Sequence, residues 1–291
     1  MYKFEDLLKE NQPKPLWAAI FAMFAGIFLI FLAWNAPAIA SVLVFKVELP
    51  AGIANFATEL KFVIYYLFIS FGAGLLSVTY YREVIQKGRA LTLFTAASRF
   101  RFELMAISAC LAAIIVFVGV FLLEPHNINA LKSRIEQLGN RYFFVLVVAY
   151  LVAFSVQSTF EEVYFRGFLA QYLRRLSIPM AVVMVITSLL FSAVHYTEDV
   201  PAAVLVSTFL VGLTFAIAAR RTNGLEVTIG AHIANNLIVG GLFGALDNQQ
   251  ASEDAYLSAV IFSVVYLGGL ELALRLWPKF LADSRLIGTS G

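Results

Sequence analysis

Apolar residues run through this chain in long, nearly unbroken stretches, and polar residues are confined to the short gaps between them. A helix of about 20 mostly apolar residues crosses the roughly 30 Å of a bilayer's hydrocarbon core. On that template the sequence holds about eight spans, at 16–45, 62–81, 104–123, 142–173, 178–195, 201–219, 227–246 and 256–276. Inside hydrocarbon each backbone N–H and C=O must find its partner within its own segment, so stretches of this kind are helices. The pattern predicts an all-α, polytopic transmembrane helix bundle. The fourth stretch is long enough, at about 1.5 Å per residue, to tilt, bend or project from the bilayer.

Composition agrees with lipid as the solvent. With 60% hydrophobic and 14% charged residues among 291, and a mean hydropathy of +0.82, an ordinary water-soluble domain is excluded. A net charge of +2 with scattered basic residues leaves no basic stripe for nucleic acid, which is excluded as a partner. Under an eight-span count, fifteen Lys and Arg fall on one side of the membrane and five on the other, with Arg166 inside a span. The positive-inside rule then puts both termini in the cytoplasm. Lys3, Glu5, Asp6, Lys9 and Glu10 precede the first stretch, which is also too long for a signal peptide, so that stretch is expected to remain as an anchor. The lone Cys110 can form neither an internal disulfide nor a thiolate metal site.

The chain divides into an N-terminal three-span region (1–141), a core of spans four to seven (142–246), and a last span with a cytoplasmic tail (247–291). The basic segment 81–101 reads as a solvated cytoplasmic connection, and 124–141, which includes a solvated His126, is polar enough for a short surface helix.

Ionisable residues within spans are costly and therefore default functional candidates. Here they concentrate in the back half. Span four carries Glu161, Glu162 and Arg166, span five ends at His195, and span seven holds His232, Asn235 and Asn236. Glu162 and Arg166 are one helical turn apart on one face, where an ion pair neutralises both. Glu161 points about 100° away and stays available as a base. His232 and Asn236 are also one turn apart and present an imidazole and an amide together, a pairing suited to an oxyanion hole. Taken singly, Glu162 with Arg166 reads as a structural pair, and His195, next to Tyr196, Glu198 and Asp199, as a packing donor or an interfacial residue. Asn235 is a candidate interhelical hydrogen bonder.

The order Glu161-Glu162-Val-Tyr-Phe-Arg166, Phe191-Ser-Ala-Val-His195 and His232-Ile-Ala-Asn-Asn236, one motif per span, resembles the CPBP family of intramembrane proteases. That family includes type II CAAX prenyl endopeptidases and bacteriocin-immunity relatives. The resemblance covers about 155–246 and extends to Gly167 and to the 224–231 lead-in. It implies an intramembrane endopeptidase in which Glu161 activates water with His195, His232 and Asn236 stabilise the oxyanion, and Glu162 and Arg166 support. No cofactor is favoured. Zn²⁺ held by Glu161, His195 and His232 is the alternative, although a helical HExxH arrangement is absent.

For Glu161, His195 and His232 to meet, either the fourth span extends past the membrane or the 222–230 segment dips inward, and the former is expected. The bundle should enclose a polar cavity open to the cytoplasm or the bilayer. Expected partners are membrane lipids and a membrane-associated or lipidated peptide, with a prenylated CaaX tail one substrate class, and the expected location is a prokaryotic inner membrane. A rival class is a non-proteolytic membrane protein, either a bacteriocin-immunity scaffold or a proton-coupled transporter.

Overall fold

A computed structural model describes residues 16–47, 55–123, 126–196, 200–242 and 255–278. The His126 side chain, Glu198 and Asp199 lie outside the described residues. Helices occur at all eight predicted places: α1 (Leu16–Leu43), α2 (Phe56–Ile85), α3 (Phe102–Leu123), α5 (Asn140–Arg175), α6 (Met180–Ala193), α7 (Ala202–Thr222), α8 (Glu226–Asn236, continued by a π turn Leu237–Leu242) and α9 (Ala255–Leu276). The predicted surface helix is α4 (His126–Leu138).

Among the described residues six of these helices are long and apolar enough to cross a membrane, fewer than the eight counted from sequence. The two not among them are α6 and α8, the latter described only as far as Leu242. At about 1.5 Å per residue, the 14 residues of α6 reach only about 21 Å. In α8, Glu226 to His232 are all buried, so its apolar side chains serve the protein interior rather than lipid. Elsewhere the outer surface is of the kind lipid solvates: Phe21, Phe24, Phe28, Phe144 and Val264 are all more than half exposed, as is usual only against a nonaqueous neighbour.

Local chemistry sets the helix boundaries. The Asn55 side chain accepts a hydrogen bond from the Thr58 backbone N–H at 3.0 Å and so caps α2. Gly139, at φ +76°, takes the chain from α4 into α5. A bidentate pair, Arg134 to both oxygens of Glu59 at 2.8 and 2.9 Å, ties α4 to the start of α2 with both side chains buried, so the surface helix is docked.

Two apolar clusters make up the core. One gathers side chains of α1, α2, α5 and α6, including Phe71, Phe154, Phe160, Phe168 and Phe191. The other gathers α3, α7 and α9 around Phe215, Phe262 and Tyr266. Helix α8 is the wall between them, with Ile229 in the first and Val227, Ala231 and Ala234 in the second. Gly230 lets it lie directly on α3, because a Cβ there would collide with the Met105 carbonyl.

Candidate active site

Glu161 and Glu162 are the last residues of the regular α-helical part of α5, and from Val163 to Leu169 the helix widens into a π segment. Asn236 likewise ends the regular part of α8, and the π turn begins at Leu237. Single π turns inside helices frequently accompany functional residues. In α5 the change of pitch falls inside the motif, directly after Glu162, and in α8 it follows Asn236.

The Glu162–Arg166 pair forms as the spacing predicts. Arg166 Nη1 donates to Glu162 Oε1 at 2.9 Å, and Glu162 is fully buried. The guanidinium also donates through Nη2 to the Gly212 carbonyl at 3.2 Å and stands 4.2 Å from the centroid of the Phe191 ring, a cation–π contact in a desolvated setting.

His232 joins this pair from α8. Its Nδ1 lies 3.0 Å from the same Glu162 Oε1, and its Nε2 lies 3.4 Å from Glu161 Oε2. One imidazole thus bridges the two adjacent carboxylates. An Nδ1–H donated to a carboxylate fixes the tautomer, so Nε2 is a lone pair in the neutral ring and a donor in the imidazolium. Glu161 accepts a 3.2 Å hydrogen bond from Gln157 Nε2 at Oε1, while its buried Oε2 has no hydrogen-bond partner among the described residues. The available carboxylate oxygen therefore faces the histidine.

Asn236 and His195 are held differently. Asn236 Nδ2 donates to Ser158 Oγ at 3.5 Å, and Asn235 Nδ2 donates to Asn236 Oδ1 at 3.2 Å, so Asn235 orients its neighbour. His195 is partly exposed, and its Nδ1 lies 2.7 Å from the Phe191 carbonyl oxygen, which leaves Nε2 as the free nitrogen. The Phe191 ring lies 4.9 Å from the His195 ring and 5.7 Å from the His232 ring, so it contacts both histidines.

Glu161, Glu162, Arg166 and His232 therefore form one contiguous polar group, with Asn236 attached through Ser158 and His195 approaching past Phe191. Among the described residues no group of three or more His, Cys, Asp or Glu side chains is placed to hold a metal ion. The crevice that reaches Arg166, lined also by Met180, Met184, Thr187 and Arg220, has a volume of about 10 Å³. That is room for about one water molecule.

Sequence reasoning missed Gln157, Ser158, the contacts of Phe191 with both histidines, and Gly212. Gln157 stood in plain view four residues before Glu161, the spacing at which helical side chains meet. It also misread 81–101. Arg82 and Arg101 in that segment are buried, as are Leu93, Thr95 and Ala97. The 222–230 segment is likewise interior apart from a partly exposed Asn223, and the fourth-span helix runs unbroken from Asn140 to Arg175.

Comparison with known proteins agrees with the motifs. Residues 142–238 match the family described as Type II CAAX prenyl endopeptidase Rce1-like. A stretch of 125 residues is 27% identical to the uncharacterized protein YyaK of Bacillus subtilis (strain 168), covering 41% of this chain and 40% of that relative. The resemblance read from the motifs stands: the α5–α8 region is similar to a CAAX-type endopeptidase family, in a chain with six helices, among the described residues, long and apolar enough to cross a membrane.

Proposed function

We propose that this chain is an intramembrane endopeptidase that uses Glu161 to activate water. The observation that carries the reading is the division of labour between adjacent carboxylates. Glu162 is occupied by Arg166 and His232, whereas Glu161 keeps one buried oxygen without a hydrogen-bond partner, facing His232 Nε2.

In this reading water binds against Glu161 Oε2 and passes its proton to that oxygen as its own oxygen adds to a peptide carbonyl. His195, with Nε2 left free by its Nδ1 contact, accepts a second hydrogen bond from the same water. Negative charge then develops on the former carbonyl oxygen. Donors fixed in advance lower that barrier most, and the His232 ring held by Glu162, together with Asn236 Nδ2, is placed to supply them. Collapse of the tetrahedral species breaks the C–N bond, and Glu161 returns its proton to the leaving amine.

The proposed substrate is a membrane-associated peptide with a lipidated tail, of which a prenylated CaaX sequence is the test case. A lipid chain partitions beside a bundle of this kind and brings the adjacent peptide to the depth of the site. Both chain termini would face the cytoplasm of a prokaryotic cell. The decisive measurement is cleavage of a quenched, farnesylated CaaX peptide by wild type and by Glu161→Gln, His195→Ala and His232→Ala at matched expression. Loss in the three variants is expected. Equal cleavage by all four proteins, or none by wild type, overturns the reading.

A further inference from the structure

Residues 90–101 belong to the connection from α2 to α3, and most of 92–97 with Arg101 is buried between α5 and α8, two of the three helices that bear the motifs. On one flank Gln171 Nε2 donates to the Thr92 carbonyl at 2.7 Å, with Gln171 fully buried. One residue on, the Leu93 carbonyl lies so close to Gly167 that a Cβ there would collide with it. Gly167 follows Arg166 directly, so this contact touches α5 beside its motif. On the other flank the Leu225 N–H donates to the Phe94 carbonyl at 2.7 Å, and the Ala96 N–H donates to the Asn223 carbonyl at 3.0 Å, around an antiparallel bridge between Thr95 and Gly224.

The segment ends in a buried ion pair with the first residue of α8. Arg101 Nε donates to Glu226 Oε1 at 2.9 Å, and Nη2 donates to Glu226 Oε2 at 2.8 Å and to the Thr222 carbonyl at 2.9 Å. Neither side chain is more than 2% exposed. Gly224 is required beside it, since a Cβ there would lie 2.6 Å from Arg101 Nη2 and 2.7 Å from Thr95 Oγ1. From α3 and α9, Ser108 Oγ and Tyr266 OH each donate to the Val227 carbonyl, at 2.6 and 3.1 Å.

Burying two charges is a poor way to gain stability, because desolvation offsets their attraction, but a bidentate pair admits one register. We infer that residues 90–101 are an internal strut that fixes the spacing of the Glu161–Glu162 helix and the His232 helix, with Arg101 and Glu226 as positioning residues for His232. The inference rests on the endopeptidase reading for its link to turnover. It does not rest on it for the geometry.

The test uses the full chain in detergent micelles with two readouts. One is cleavage of the farnesylated CaaX peptide. The other is the ¹⁵N spectrum of the histidine rings, in a protein with three histidines, the His232 signals being identified by their loss in His232→Gln. Glu226→Gln is expected to lower kcat by roughly 10²-fold, the scale of a misplacement of about 1 Å, with KM within about twofold, and to move the His232 signals. Glu226→Asp should restore both in part. Arg99→Gln, which touches only the exposed pair with Glu103, should change neither.

Gln171→Met keeps the ion pair and loosens the other flank, so it serves where Glu226→Gln does not fold, and a kcat loss of about tenfold with the same spectral shift is expected. A folded variant of either kind with unchanged kcat and unchanged His232 signals overturns the inference, as does a loss of melting temperature with kcat preserved. Failure of wild type to cleave the peptide counts against the endopeptidase reading, while the His232 signals still decide the strut.

Discussion

Glu162 Oε1 takes hydrogen bonds from two sides at once, from Arg166 Nη1 at 2.9 Å within its own helix and from the His232 ring at 3.0 Å across 70 positions of sequence. The first contact neutralises the carboxylate locally. The second makes it the anchor of a histidine on another helix, and so ties two of the three motifs through one oxygen atom.

Removing that anchor should cost stability as well as turnover. Glu162→Gln leaves a buried guanidinium without its counter-charge, and breaking a buried pair by losing one partner costs about 3–5 kcal/mol. Unfolding of purified protein in detergent should show a lowered midpoint, and adding Arg166→Met to Glu162→Gln should recover much of it. A midpoint that falls further in the double variant contradicts the pairing.

Glu161→Gln is expected to separate the two properties. The Gln157 contact remains available and the facing oxygen has no hydrogen bond to lose, so the unfolding midpoint should stay close to wild type. Cleavage should fall by about 10²- to 10⁴-fold, the usual worth of a general base. A variant that melts early yet turns over normally would mean that Glu161 is structural.

Gly212 makes a sharper steric test. A Cβ there would stand 3.0 Å from Arg166 Nη2 and 3.2 Å from Phe191 Cδ1, so Gly212→Ala must displace the guanidinium or the ring, at about 1–3 kcal/mol for overpacking. Reduced kcat and a lower midpoint are expected. Gly268→Ala, whose Cβ would meet nothing within 4 Å, is the matched control and should behave as wild type.

Metal depletion should leave cleavage intact. Glu161 and His232 face each other, but among the described residues no third His, Cys, Asp or Glu side chain completes a ligand group. Full activity in protein whose metal content has been measured as negligible is the expected result. Activity lost on depletion and restored by Zn²⁺ would require His195 to move onto a shared ion.

What could be read from sequence was local. Glu162 with Arg166 was legible because helical pitch alone brings residues four apart together, and Gln157 with Glu161 was legible by the same rule although it went unused. His232 could be recognised by residue type and motif, yet its attachment to Glu162 depends on how α5 and α8 pack. The opposite error befell Arg101. A short basic connection reads as solvated, and only the fold reveals its acid partner, 125 positions away at the start of a buried helix. Hydropathy registers that Val227, Ile229 and Ala231 avoid water, and it cannot register that they are buried inside the protein.

The recognisable family stretch begins at 142 and ends at 238, but it is not a self-sufficient folding unit. Its last motif helix hangs on Arg101, Ser108 and the Met105 backbone from upstream and on Tyr266 from downstream. Excising the family-like block would strip α8 of all four moorings, and grafting it behind unrelated leading helices would strip the three upstream ones. Swaps between related chains therefore have to carry the 90–108 region along with the motifs.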